Sequence, residues 1–220
     1  PSDNPSAPGD APRYSVVAPC YNEEESLPEF LRRTVAACGQ VEGSWEIVLV
    51  DDGSSDRTWQ FITDCAAEDP RVVGVKLSRN HGHQLALSAG LTICRGERVL
   101  IIDADLQDPP EALPEMDRLM DAENADVVYG QRGKRAGETI FKRASAAGFY
   151  RLINRLSDTS IPVDTGDFRL ISRRALDVLM SMPERHRFVR GMVSWIGFTQ
   201  VPYRYDRDSR YAGDTKYPLR

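Results

Sequence analysis

Cysteine is scarce and scattered in this chain. Its four residues, Cys20, Cys38, Cys65 and Cys94, stand far apart with no short Cys pairing. That argues against a zinc site and offers no disulfide framework. A reducing, cytosolic setting is the expectation. Long apolar runs are missing too: none is long enough to cross a bilayer, and no signal-peptide pattern stands at the N-terminus. There is no internal repeat. Low complexity is confined to residues 1–12, rich in Pro, Ser, Asp and Gly, which read as a disordered tail.

What remains is globular. The chain has 220 residues, 41% hydrophobic and 28% charged, enough for one large domain with a substantial core. Its net charge of -5 hides a division. Residues 1–133 carry 11 Lys/Arg and 24 Asp/Glu, whereas residues 134–220 carry 17 and 9. The acidic half suits a cation, and the basic half suits phosphates or an anionic membrane surface. We therefore expect two halves of one domain, residues 13–133 and 134–220.

The most informative stretch runs from Arg98 to Asp108. Arg98-Val99-Leu100-Ile101-Ile102 reads as a strand buried on both faces. It ends in Asp103-Ala104-Asp105-Leu106-Gln107-Asp108. Carboxylates two apart on an extended chain face one side, and close carboxylates raise each other's pKa unless positive charge intervenes. A divalent cation shared with phosphate oxygens would supply that charge, and Gln107 adds a neutral oxygen. Before this stretch the chain alternates. Strands are predicted at Tyr14–Ala18 (closed by Pro19), Trp45–Val50 and Val72–Leu77. Helices are predicted from Leu27, over Arg57–Glu68 and over Leu85–Ile93. A helix over Pro110–Ala122 and a strand over Ala125–Tyr129 follow. Such alternation predicts an α/β fold, a mostly parallel sheet with helices on both faces. Ligands then bind at the carboxyl ends of the strands, where Asn22, Glu23, Asp51, Asp52, Asp103 and Asp105 all fall. His81 and His83 are read as loop and helix-start residues rather than bases.

Three motifs in order, Pro19-Cys20-Tyr21-Asn22-Glu23, Asp51-Asp52-Gly53-Ser54-Ser55-Asp56 and Asp103-Ala104-Asp105-Leu106-Gln107-Asp108-Pro109, resemble the family 2 glycosyltransferases with a GT-A, Rossmann-like fold. Further matches are Ser78-Arg79-Asn80 with Gly82, Gly166-Asp167-Phe168-Arg169-Leu170, Arg190 to Trp195, and Arg210 to Tyr217. Within the family the chain looks most like the polyprenyl-phosphate hexosyltransferases, the group of dolichyl-phosphate mannose synthase and bacterial polyprenyl-phosphate glucosyltransferases. The resemblance covers residues 14–217. A soluble sugar or polysaccharide is the alternative acceptor, against which the basic amphipathic stretch from Lys134 to Arg155 speaks. A receiver-like Mg²⁺-binding module is a rival from another class, but it leaves Asp105, Gln107 and the region after residue 133 unexplained.

The resemblance implies inverting transfer of a hexose from a UDP- or GDP-sugar (UDP-glucose or GDP-mannose type) to a polyprenyl phosphate, at the cytoplasmic side of the cell membrane and in cell-envelope glycan synthesis. It implies Mg²⁺ or Mn²⁺ on Asp105 and Gln107, with Asp103 direct or through water. Pro19, Tyr21, Glu23 and Asp52 would contact the nucleoside. Asp167 would be the catalytic carboxylate, with Asp164 the runner-up. An acceptor phosphate with a second pKa of about 6 is ionised near neutral pH, so Asp167 would orient more than deprotonate. Arg187, Arg190, Arg210 and Lys216 would grip phosphates, with Arg210 and Lys216 on a lid around Gly213. The family usually continues into transmembrane helices, and the absence of that segment from this sequence is its main departure from the pattern.

Overall fold

In the computed structural model, residues 11–133, 165–185 and 187–206 are described. The first half follows the predicted alternation: β1 (Tyr14–Cys20), α1 (Leu27–Cys38), β2 (Trp45–Asp51), α2 (Thr58–Glu68), β3 (Val72–Lys76), α3 (His83–Ile93), β4 (Arg98–Ile101), α4 (Leu113–Ala122) and β5 (Val127–Arg132). The ends differ slightly. Pro19 does not close β1 but pairs within it, in register with Val50. The helix foreseen from Pro110 begins as a 3₁₀ turn, Pro110–Ala112, before α4. Helix α3 starts two residues early, at His83. Beyond Thr165 come β6 (Thr165–Ser172), α5 (Arg173–Ser181), α6 (Val189–Trp195) and β7 (Gln200–Tyr205).

The strands form one sheet in the order β3-β2-β1-β4-β6-β5-β7. Strands β1 to β4 pair in parallel, as does β5 with β7. Strand β6 runs antiparallel to both of its neighbours. The parallel strands are buried on both sides, and their side chains alternate between two cores. Val16, Ala18, Ile47, Leu49, Leu100 and Leu170 share one core with Leu27 and Phe30 of α1, Ile62 of α2 and Met116 of α4. Val17, Val48, Val50, Val99, Ile101 and Ile171 share the other with Leu87 and Leu91 of α3, Leu176 of α5 and Val193 of α6. Gly90 lets α3 lie close on the sheet: a Cβ there would stand 2.5 Å from Val17 Cγ1 and 2.9 Å from Val50 Cγ2.

The amino-terminal rim is closed by ion pairs. Buried Glu46 accepts from Ser15 Oγ at 2.7 Å and from the Arg95 guanidinium at 2.8 Å. Arg98 pairs with Asp117 and Asp121. Asp126 accepts from Ser172 Oγ at 2.8 Å and from Arg174 Nη2 at 2.7 Å. The opposite rim, at the carboxyl ends of β1 to β4, is where the predicted site residues collect. All four cysteines are free. Among the described residues no helix is long and apolar enough to cross a membrane.

Candidate active site

The direction of β6 makes the site. Ile101 at the end of β4 lies opposite Arg169, and Arg98 opposite Ser172. Carried two residues further, this register sets Asp103 across from Asp167. A parallel strand would deliver its last residues to this rim; β6 delivers its first. Asp103 has the parity of Ile101 and Val99, and Asp167 that of Ile171, so both carboxylates face the α3 side of the sheet.

Helix α3 meets them with its first two residues. His83 Nε2 lies 3.2 Å from Asp167 Oδ2 and 3.6 Å from Asp103 Oδ1. Gln84 Nε2 donates to Asp167 Oδ2 at 2.7 Å, and its Oε1 accepts from the Val189 amide at 2.9 Å. Burial pushes the Asp103 carboxyl up to about 6; Asp105, Asp108 and Asp167 add to the rise, and His83 opposes it. For His83, burial disfavours the charged ring, but the bond to Asp167 and the charges of Asp103 and Asp105 outweigh it, so its pKa is raised. Burial likewise works against the Asp167 carboxylate. The His83 bond, the Arg169 charge and the Gln84 bond overcome this and hold it below the usual carboxylate range.

Arg169 is 2% exposed and lies behind Asp167 on β6. Its Nε donates to the Asp167 carbonyl at 3.1 Å and its Nη2 to the Gly166 carbonyl at 2.9 Å. Burial pulls its pKa down to about 10, helped by the Arg190 charge and opposed by Asp167.

Past Asp103 the chain turns tightly. Leu106 is left-handed, with φ +59°, a conformation that costs a residue with a Cβ on the order of 1 kcal/mol or more. Its side chain is buried in the core beside Ala104, which fixes the turn. The turn brings the Gln107 amide to Asp105 Oδ1 at 3.1 Å, and Asp105 is only 6% exposed. Asp108 is buried and accepts from the Tyr205 hydroxyl of β7.

The first two strand ends form an adjoining wall. Cys20 is in register with Asp51. Asn22, left-handed at φ +53°, donates its amide to Ser54 Oγ at 2.9 Å and accepts from the Ser55 amide at 2.8 Å. The Glu23 amide donates to Thr58 Oγ1 at 2.8 Å. Pro19 near the end of β1, and Tyr21 and Glu23 in the loop after it, are half-buried. Asp51 takes the Ser54 amide, and its other oxygen, fully buried, has no hydrogen-bond partner among the described residues. Asp52 accepts the amides of His81 at 2.7 Å and Gly82 at 2.9 Å. It thus ties β2 to the start of α3. At Gly53 the two loops touch: a Cβ would stand 2.5 Å from the Arg79 carbonyl carbon.

Asp103, Asp105, Gln107 and Asp167 therefore gather on one rim, next to the loop of Pro19, Tyr21, Glu23 and Asp52. Arg190 also reaches it. Its Nη1 donates to the Thr165 carbonyl at 2.5 Å, its guanidinium lies 5.1 Å over the Phe188 ring, and its buried Nε has no hydrogen-bond partner among the described residues. Arg187 does not join them as a phosphate grip. It donates to the carbonyls of Met180 at 3.1 Å, Met182 at 3.2 Å and Glu184 at 3.3 Å, closing the carboxyl end of α5. Asp164, Arg210, Lys216 and the basic stretch Lys134 to Arg155 lie outside the described residues. Sequence reading placed His83 at a helix start, where it stands, but did not bring it, Gln84 or Arg169 to Asp167. The available signal was position: His83 and Gln84 follow β3 onto the same rim.

Among the described residues no group of three or more His, Cys, Asp or Glu side chains is placed to hold a metal ion by itself. The donor set still fits a hard divalent cation, which takes one or two carboxylates and leaves other positions to phosphate and water. Asp103 and Asp105 are such a pair, two residues apart just past the end of β4.

Comparison with known proteins bears on this rim. The family model for glycosyl transferase family 2 matches residues 15–180. The uncharacterised glycosyltransferase YkcC of Bacillus subtilis is 46% identical over 94% of the chain. A prophage bactoprenol glucosyl transferase homologue of Escherichia coli is 40% identical over 93% of the chain and 67% of its own length. The chain spans 64% of the length of YkcC. Among solved structures, the mannosyltransferase PcManGT of Pyrobaculum calidifontis, in complex with GDP-Man and Mn²⁺, aligns with a TM-score of 0.60 at 21% identity, over 93% of this chain and 58% of that one. Staphylococcus aureus TarS with UDP-GlcNAc aligns with a TM-score of 0.57 at 17% identity, over 90% and 60%. These two share the GT-A fold.

Proposed function

The chain belongs to glycosyltransferase family 2, and from that premise we propose that it moves a hexose from a UDP- or GDP-sugar to a polyprenyl phosphate, with inversion, at a membrane surface. The observation that carries this reading is the convergence of Asp103 and Asp167 across the β4–β6 pair, one step from Asp105. The relatives named as bactoprenol glucosyl transferases support the lipid acceptor, as does the basic residue balance after position 133.

Each residue then has a task. Pro19, Tyr21 and Glu23 line the nucleoside, and Asp52 holds the facing loop in place. Asp103 and Asp105, with the Gln107 side chain, would hold Mg²⁺ or Mn²⁺. Bound there, the cation supplies positive charge to the departing nucleoside diphosphate. Asp167 faces the reacting centre from the opposite strand and orients the acceptor phosphate or the sugar hydroxyls, with Asp164 beside it in sequence. Arg190, Arg210 and Lys216 carry the positive charge that an anionic acceptor or a diphosphate needs.

The test is calorimetric titration with UDP and GDP, each with and without Mn²⁺. Metal-dependent binding of one nucleotide is expected and identifies the donor base. Binding that is indifferent to metal would remove Asp103 and Asp105 from the reading. Transfer to a soluble sugar with no response to added polyprenyl phosphate would replace the acceptor.

A further inference from the structure

We propose that Gln84 positions Asp167 for transfer, by locking one oxygen of its carboxylate to the amino end of helix α6. The inference rests on the transferase reading above and adds a residue to it. Both ends of the Gln84 amide are committed. Its NH₂ must face Asp167 Oδ2, which only accepts, and its oxygen must face the Val189 N–H, which only donates. A single amide orientation satisfies both.

The second bond matters because α6 is short, Val189–Trp195, and its N-cap residue Phe188 gives no side-chain cap. The Val189 amide is one of the donors that a helix leaves unpaired at its start. Gln84 caps it from another helix. The same side chain therefore ties α3, β6 and α6 together at the site.

The arrangement also divides the two oxygens of Asp167. Gln84 and His83 both lie on Oδ2, at 2.7 Å and 3.2 Å. Oδ1 has Arg169 Nη2 at 4.0 Å, beyond hydrogen-bond reach. Fixing Oδ2 fixes the plane of the whole carboxylate, on the side where His83 also meets Asp103. Arg190, one residue along α6, donates to the Thr165 carbonyl at the start of β6. Loosening the cap thus loosens both the carboxylate and the arginine beside it.

The experiment uses Gln84→Glu, which keeps the shape and an acceptor for Val189 but sets a carboxylate against Asp167, whose repulsion draws it off the end of α6. We expect kcat to fall on the order of 100-fold, the scale of a small misplacement at a reacting centre. KM for the nucleotide sugar should stay within about threefold, since the donor wall is untouched. Amide exchange at Val189 should accelerate. The double variant Gln84→Glu with Asp167→Asn transposes the pair: Asn donates and Glu accepts. Val189 protection should return to the wild-type level while transfer stays lost. If Gln84→Glu does not fold, Gln84→Met removes both bonds without adding charge and should show the same loss of kcat.

An unchanged kcat in the folded single variant, or no return of Val189 protection in the double variant, would overturn the proposal. A wild-type protein that neither binds nucleoside diphosphate nor transfers sugar would instead sink the functional reading. The exchange measurement needs no substrate and still decides whether Gln84 bridges Asp167 and α6.

Discussion

Asp105 and Asp167 differ in what surrounds them, and their removal should differ accordingly. Asp105 is almost fully covered and is held by the Gln107 amide in a turn that the left-handed Leu106 fixes. In Asp105→Ala, metal-dependent turnover is expected to vanish and nucleoside-diphosphate binding to weaken; turnover undiminished across a metal titration would take Asp105 out of the site. Asp167 is reached from β6, away from the nucleoside wall. Asp167→Asn should impair transfer more than it impairs UDP or GDP binding, and equal losses in the two assays would make it a structural residue. These two carboxylates were legible in the sequence because each stands in a motif. Gln84 was not, because its value lies in two partners 83 and 105 positions away. Arg187 shows the same dependence on distant context: the sequence offers it as a phosphate grip, and in the fold its donors lie on the carbonyls at the end of α5.

Elements explain why some of the fold was readable and some was not. The strands up to β5 announce themselves as apolar runs between helical periods. Strand β6 does not, since Gly166, Asp167 and Arg169 interrupt its pattern; its antiparallel course appears only in the pairing with β4 and β5. Helix α3 is set by its approach to the sheet. In Gly90→Ala the added methyl would meet Val17 and Val50. Overpacking of about 1–3 kcal/mol then outweighs the helix-propensity gain of about 1 kcal/mol. A lower melting temperature together with reduced transfer is expected, because His83 and Gln84 ride on this helix; a variant at least as stable as wild type would show that the contact yields. At the other rim the Arg174 hydrogen bond, aided by Ser172, holds the Asp126 carboxyl below its usual range despite burial. Its contribution is therefore present above the unfolded pKa of about 4 and is lost as pH falls through the lower folded value. Asp126→Asn should melt below wild type at pH 7, and the gap should close in acid; a gap independent of pH would assign the effect to packing.

At the scale of the whole molecule the two ends of the sheet have separate tasks. One end closes the fold with arginine–carboxylate pairs, and the other gathers the carboxylates Asp103 and Asp167 around His83. The basic balance after residue 133 predicts that vesicles containing anionic lipid bind the protein at low ionic strength and release it as salt shortens the Debye length from about 10 Å at 0.1 M to about 3 Å at 1 M. Cosedimentation that ignores both lipid charge and salt would remove the membrane surface from the reading.

The meeting of β4 with β6 also makes the chemistry stepwise. A pleated strand offers no intermediate settings. A shift of β6 by one residue would swing Asp167 from the α3 face to the α1 face, away from His83 and Gln84. Insertions and deletions within β6 should therefore be refused, because even one residue parts Asp167 from Asp103 altogether.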